Sequence, residues 1–262
     1  MKSMAAGTMG CGTSEVGDMV APGLEDGHSM RTLLPWRSAV LALTAAALAA
    51  GLCSCSVKGN EMTNASAPKE LPAVEVREYK GQNLSSVNDF RENSIKGPQK
   101  VSSTTYRLEV TGLVSTPLSL TYDQVIGRER FSKVVTLDCV EGWGATILWE
   151  GVRVWDLLAQ AGYDPKAAMV IFTAYDGYTT SLPLSWIVDK NILLAYRMNG
   201  IDVPAERGFP FVLVAEDKWG YKWIKWVTKI EVSNDTAFRG FWERRGYNQD
   251  GDVAGPMLAP RE

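Results

Sequence analysis

Short apolar runs closed by turns constrain this chain more than any other feature. Tyr106-Arg-Leu-Glu-Val110 alternates apolar and polar residues and leads into Thr111-Gly112, the pattern of a half-buried strand and its turn. Residues 134–137, Val-Val-Thr-Leu, form a β-branched run that ends at Asp138-Cys139. Residues 169–173 and 179–182 flank the turn Asp176-Gly177, and residues 192–198 run into Asn199-Gly200, a hairpin signal. Residues 211–215 and 229–232 read as two further strands. One segment departs from this pattern: over 152–161 apolar residues recur at helical spacing and stop at Gly162. Many short strands with one or two helices predict an α+β domain of mixed sheets rather than a regular βαβ winding. At 262 residues and 45% hydrophobic content the chain can bury one substantial core. It carries no internal repeat, Walker motif or dinucleotide-binding glycine fingerprint.

The N-terminal quarter reads as leader and tether rather than domain. Residues 30–55, MRTLLPWRSAVLALTAAALAAGLCSC, place Arg31 and Arg37 before an apolar run over 39–52. That run is too short and too rich in alanine to favour a permanent span. Its end, Leu52-Cys53-Ser54-Cys55, resembles a bacterial lipobox, which makes 30–54 a lipoprotein signal peptide and Cys55 the lipidated residue; an ordinary cleaved signal peptide is the rival reading. Met30 is a second candidate start, so residues 1–29 are set aside from the fold. Residues 55–75 are polar and aperiodic, a flexible tether, and the folded domain is expected over 76–262. A diacyl anchor suffices for stable attachment, so the expected location is extracytoplasmic, on the bacterial cell membrane.

A net charge of −3 without a basic block gives no reason to expect a nucleic-acid partner. Of four cysteines only Cys139 lies in the domain, which excludes an internal disulfide, and the single histidine, His28, lies upstream of the leader. Without a histidine to make the thiolate, a cysteine hydrolase is disfavoured. Zinc sites need three or four Cys or His ligands, and iron–sulfur clusters need four. A structural, buried Cys139 remains open. So does a metal that arrives chelated by its own organic cofactor and needs one protein thiolate.

Several motifs decide between these. Leu148-Trp-Glu-Gly-Val-Arg-Val-Trp-Asp-Leu-Leu-Ala-Gln-Ala-Gly162, Tyr175-Asp-Gly-Tyr-Thr-Thr-Ser-Leu-Pro183 and Leu193-Leu-Ala-Tyr-Arg-Met-Asn-Gly200 follow one another along the chain. Arg207-Gly-Phe-Pro210, Trp219-Gly-Tyr-Lys-Trp-Ile-Lys-Trp226 and Phe241-Trp-Glu-Arg-Arg-Gly-Tyr247 come after them. In that order, around a sole cysteine, they resemble the sulfite-oxidase-like molybdopterin oxidoreductases, from about residue 83 to 247. The resemblance implies the sulfite-oxidase fold in a single catalytic domain, with Leu148–Gly162 as the helix after the ligand cysteine. It also implies Mo-molybdopterin, in the pterin form without a mononucleotide.

By the same resemblance Cys139 is the metal ligand, and Trp223, Ile224 and Lys225, with Lys222 beside them, wrap the pterin. Asn88-Asp-Phe-Arg-Glu92 resembles the Asn-Asn-Phe-Tyr-Glu element of periplasmic methionine-sulfoxide reductases, which adds Asn88, Arg91 and Glu92 as cofactor contacts; Thr173 is a further one. The family often has His or Asn where Arg207 stands and an Arg where this chain has Val212, so Arg207 is expected to serve for both. Tyr247 matches the tyrosine that sulfite oxidases aim at the metal, and a phenol can donate a proton there. Cys139-Val-Glu-Gly-Trp143 resembles the reductase branch, and Glu141 beside the metal disfavours a dianionic substrate.

The resulting expectation is oxygen-atom transfer, with reduction of a sulfoxide or N-oxide. Electrons would come from a separate carrier such as a membrane haem protein. Oxidation of sulfite or another small anion, with Arg244 and Arg245 holding it, is one alternative; a cofactor-less lipid-anchored binding protein is the other. A chain ending at Glu262 leaves no room for the immunoglobulin-like dimerisation domain of sulfite oxidases, so a monomer is expected. Arg31 and Arg37 form no twin-arginine motif, which leaves the export route of a cofactor-loaded domain open.

Overall fold

The computed structural model describes residues 74–260. The leader, Cys55 and most of the expected tether lie outside them. Glu75, at the end of that tether, is already bound into the domain. Its carboxylate accepts from the Ser86 hydroxyl at 2.6 Å and the Val87 amide at 2.9 Å.

A short hairpin of β1 (Glu78–Tyr79) and β2 (Gln82–Asn83) precedes the two main sheets. The first sheet contains β5 (Phe131–Asp138), β6 (Gly144–Arg153), β9 (Leu193–Met198) and β10 (Ile201–Asp202) in the order 10-9-6-5, with β11 (Val212–Leu213) also on β9. All its pairings are antiparallel. The second sheet runs β4 (Leu118–Thr121), β3 (Arg107–Gly112), β12 (Val227–Ser233), β7 (Met169–Ala174) and β8 (Thr179–Pro183). Within it β12 lies parallel to β3 and antiparallel to β7, so the sheets are mixed. Both sheets feed one hydrophobic core, with Leu108, Phe172 and Ile230 from one and Ile147, Trp149 and Leu194 from the other. Three short helices complete the domain: α1 (Tyr122–Ile126), α2 (Val154–Ala161) and α3 (Leu184–Asp189). Among the described residues no helix is long and apolar enough to cross a membrane.

The α+β reading therefore holds, and most strands fall where the apolar runs put them. Asn199 and Gly200, at φ 49 and 77, turn β9 back into β10, the geometry that favours Asn-Gly between paired strands. Gly162 closes α2 in a left-handed conformation. Two expectations need correction. Leu148–Gly162 is not one helix: its first six residues finish β6, and the helix starts at Val154. That strand is paired on both edges and buried on both faces, so its sequence lacks the alternation that marks a half-buried strand. The run 211–215 forms a regular strand only at Val212–Leu213.

Candidate active site

The β5–β6 connection places Cys139. Asp138 and Gly144 still pair, and the loop between them closes through the Cys139 amide to the Trp143 carbonyl at 2.8 Å, with Gly142 at φ 80. The residue is buried, 4% exposed. From across the site the loop after β11 meets it through a parallel bridge between Asp138 and Trp219. A Cβ on Gly220 would stand 3.3 Å from the Cys139 Cα. Glycine there lets the 219–223 backbone pack closely against the Cys139 backbone.

Two cavities meet at this point. The larger is about 160 Å³ and the smaller about 50 Å³, and Asn93, Cys139, Gly220, Trp223 and Lys225 line both. Their chemistry differs. The larger is bounded by the carboxylates of Glu141 and Asp176, the phenols of Tyr178, Tyr221 and Tyr247, and Trp242. Arg91 and Arg207 enter the smaller one beside Lys225, with Glu206 as its carboxylate. Arg207 is held by its Nε donating to the Val87 carbonyl at 2.8 Å and lies 5.6 Å from the Phe90 ring. Val212 lines this same small cavity, so the arginine and the position expected to carry one share it.

Near the sulfur, Asn93 Nδ2 is 3.7 Å away and Glu141 Oε2 is 3.9 Å away. Glu141 is oriented by accepting from Trp143 Nε1 at 2.9 Å. Burial pushes the Cys139 thiol above its ordinary value and the Glu141 charge adds to this, while backbone amides and Arg91 oppose it. Lys225 Nζ bonds Glu92 at 3.0 Å. Burial lowers the Lys225 ammonium and the carboxylate pulls it back. Burial alone would raise Glu92, yet the Ser94 hydroxyl and amide and Lys225 together hold it below the usual range.

Cys139, Glu141, Tyr247, Arg91, Arg207, Trp223 and Lys225 thus gather around the two cavities. The other sequence-derived candidates do not line them. Glu92 acts one step back, on Lys225. Asn88 is exposed, with its amide on the Ser86 hydroxyl. Thr173 is the last residue but one of β7, paired with Thr179 and Lys229. Ile224 is core, its carbonyl accepting from the Leu213 amide at 3.0 Å. Lys222 is fully buried in an ion pair with Glu243 at 2.6 Å. Sequence reasoning did not single out Asn93, Asp176, Tyr178, Tyr221 and Trp242. Asn93 lies one residue beyond the Asn88–Glu92 element, and Trp242 and Tyr221 lie inside motifs already recognised.

Among the described residues no group of three or more His, Cys, Asp and Glu side chains could hold a metal. A metal at Cys139 must bring its other ligands with it. One soft donor, a glycine-bearing loop packed against its backbone and a cation-lined cavity alongside suit a chelated metal whose organic ligand ends in a phosphate.

The chain belongs to the oxidoreductase molybdopterin-binding domain family, whose model matches residues 95–242. It is a molybdenum-dependent oxidoreductase that binds molybdopterin, of the sulfite-oxidase-like kind. It is 36% identical over 59% of its length to "Uncharacterized oxidoreductase YuiH" of Bacillus subtilis (strain 168), spanning 78% of that protein. It is 35% identical over 57% of its length to "Putative protein-methionine-sulfoxide reductase subunit YedZ1" of Azospira oryzae, spanning 57% of it. Against human mitochondrial sulfite oxidase the identity is 33% over 60% of the chain, which spans 34% of the enzyme. The sulfane dehydrogenase SoxCD of Paracoccus pantotrophus superposes with a TM-score of 0.55 over 73% of this chain and 59% of its own, at 21% identity, which supports the sulfite-oxidase-like fold.

Proposed function

We propose that the protein reduces a neutral sulfoxide or N-oxide at a molybdenum ligated by Cys139. The observation that carries this reading is the distribution of charge about the sulfur: the small cavity holds Arg91 and Arg207 against one carboxylate, Glu206, the large one holds Glu141, Asp176 and three phenols, and Lys225 lines both. When bound, the cofactor supplies two-electron oxygen-atom transfer. Cys139 provides the protein thiolate. Arg91, Arg207 and Lys225 offer charge-assisted donors to the terminal phosphate, and Trp223 and Asn93 close the space between the two cavities.

Substrate would then enter the larger cavity. Glu141 and Asp176 disfavour a dianion there, and the aromatic walls favour an uncharged organic group. Reduction of a sulfoxide consumes two protons and two electrons and yields a thioether and water. Tyr247 lies on the wall of that cavity, and its phenol would donate a hydrogen bond or a proton to the departing oxygen. The two arginines suggested for holding an anion lie elsewhere. Arg244 and Arg245 are exposed, bonded to the carbonyls of Arg239 and Phe241, and line neither cavity.

Electrons would come from a separate carrier, for which a membrane haem protein is the natural candidate. A lipid on Cys55 and the tether that follows would hold the domain outside the cytoplasm, at the membrane, and raise the effective concentration of such a partner. Steady-state kinetics with methionine sulfoxide and a reduced viologen, compared with sulfite and an oxidised dye, test the substrate reading. A kcat/KM larger by an order of magnitude or more for the sulfoxide is expected; a preference for sulfite would reject it.

A further inference from the structure

Lys222 and Glu243 form a buried ion pair that no step above uses. Both side chains are 0% exposed and their charged atoms are 2.6 Å apart. The ammonium also donates to the Ser181 carbonyl at 3.2 Å, and the same Glu243 oxygen accepts from the Thr180 hydroxyl at 2.8 Å. Two glycines make room for them. A Cβ on Gly251 would stand 2.7 Å from Lys222 Cγ, and one on Gly240 would stand 2.5 Å from Glu243 Oε2.

Each charge sits within a different wall of the larger cavity. Lys222 lies between Tyr221 and Trp223, and Glu243 follows Trp242 and leads into Tyr247; all four neighbours line the cavity. The two walls touch through aromatic rings, Tyr221 to Tyr247 at 4.9 Å and Trp242 to Tyr247 at 5.4 Å. Through Thr180 and Ser181 the pair also ties both walls to β8.

Stability alone gives little reason to keep such a pair, since apolar residues of similar volume are often as stable or more so. What a salt bridge adds is direction, because its bonds fix the two backbones in one relation. We propose that Lys222 and Glu243 are positioning residues that set Tyr247 and Trp242 against Tyr221, and through them the place of the Tyr247 phenol relative to Cys139. The role assigned to that phenol rests on the reading in the previous subsection; the positioning of the rings does not.

The test uses the full chain, made with and without cofactor, carrying Lys222→Met, Glu243→Leu, both together, and each of these with Tyr247→Phe. Either single substitution leaves a buried charge unpaired and should lower Tm, while the double one should recover most of the loss. In the double variant kcat for methionine sulfoxide should stay about tenfold down or more, since misplacing a reacting group by about an ångström can cost a hundredfold. KM and molybdenum content should remain within about twofold, and in the Tyr247→Phe background the same double substitution should no longer change kcat. The part of the near-UV circular dichroism of the cofactor-free protein that Tyr247→Phe removes reports the Tyr221, Trp242 and Tyr247 cluster, and it should be lost in the double variant as well. A double variant with wild-type kcat and an unchanged aromatic spectrum would overturn the proposal, as would a kcat loss that persists without the phenol. If the wild type fails to turn over sulfoxide, the substrate reading falls, and the spectrum still decides the positioning.

Discussion

Gly208→Ala is the sharpest test of how the small cavity is built. Gly208 ends the tight turn Ala205–Arg207 at φ 117, a conformation that L-residues rarely adopt. An added Cβ would stand 2.5 Å from Val212 Cγ2 and 2.9 Å from Lys225 Cβ, both far inside contact distance. The backbone strain costs about 1–3 kcal/mol. Forcing Val212 and the Lys225 stem apart costs about another 1–3 kcal/mol. At roughly 2–4 °C per kcal/mol for a domain of this size, Tm should drop by about 5–20 °C. Because Val212 and Lys225 line the cavity beside Arg207, molybdenum content should fall as well. Scanning calorimetry on the cofactor-free protein separates the first effect from the second. Val212→Ala removes the nearest clash but not the strained φ, so the two substitutions together should be less destabilising than the sum of each alone by about 1 kcal/mol. A Gly208→Ala protein within about 0.5 kcal/mol of wild type would refute the reasoning.

Two other substitutions probe the cations. Arg207→Ala removes a charged donor from the small cavity, and about 1.5–3 kcal/mol of lost phosphate binding corresponds to pterin release roughly 10- to 100-fold faster, followed by fluorescence of the oxidised cofactor; unchanged retention would show that Arg207 makes no contact. Glu92 is held below its usual range in the folded state, so its contribution to stability is full above the unfolded value and is lost as pH falls through the folded one. Urea titrations should therefore find Glu92→Gln less stable than wild type near pH 7, with the difference vanishing toward about pH 3; a constant gap would place the effect outside the carboxylate's charge.

Much of the fold was legible because half-buried strands alternate and their turns carry Asn, Asp and Gly. β6 was not, since a strand buried on both faces need not alternate, and its last residues run on into the helical pattern of α2. α1 and α3 are too short to show a helical period. In the site, Cys139 followed from elimination and family resemblance, and Arg91, Arg207, Trp223, Lys225, Glu141 and Tyr247 fell beside it. Asn93 reaches the sulfur from a loop distant in sequence, which no local pattern reports. Lys222 misled for a related reason. A lysine in a turn beside cofactor motifs suggests a ligand contact, and only Glu243, packed from another segment, reveals it as the buried half of a salt bridge.

The central claim is that Cys139 supplies the protein thiolate that ligates molybdenum. Sulfur coordination at the metal, read by X-ray absorption at the molybdenum edge on the full chain from a cofactor-competent host, tests it directly beside Cys139→Ser, with metal and pterin content measured on the same samples. The account predicts near-stoichiometric molybdenum and pterin in the wild type and one sulfur ligand fewer in the variant, whose fold should be intact by Tm. An unchanged sulfur shell in Cys139→Ser, or a folded wild type free of both metal and pterin, would contradict it.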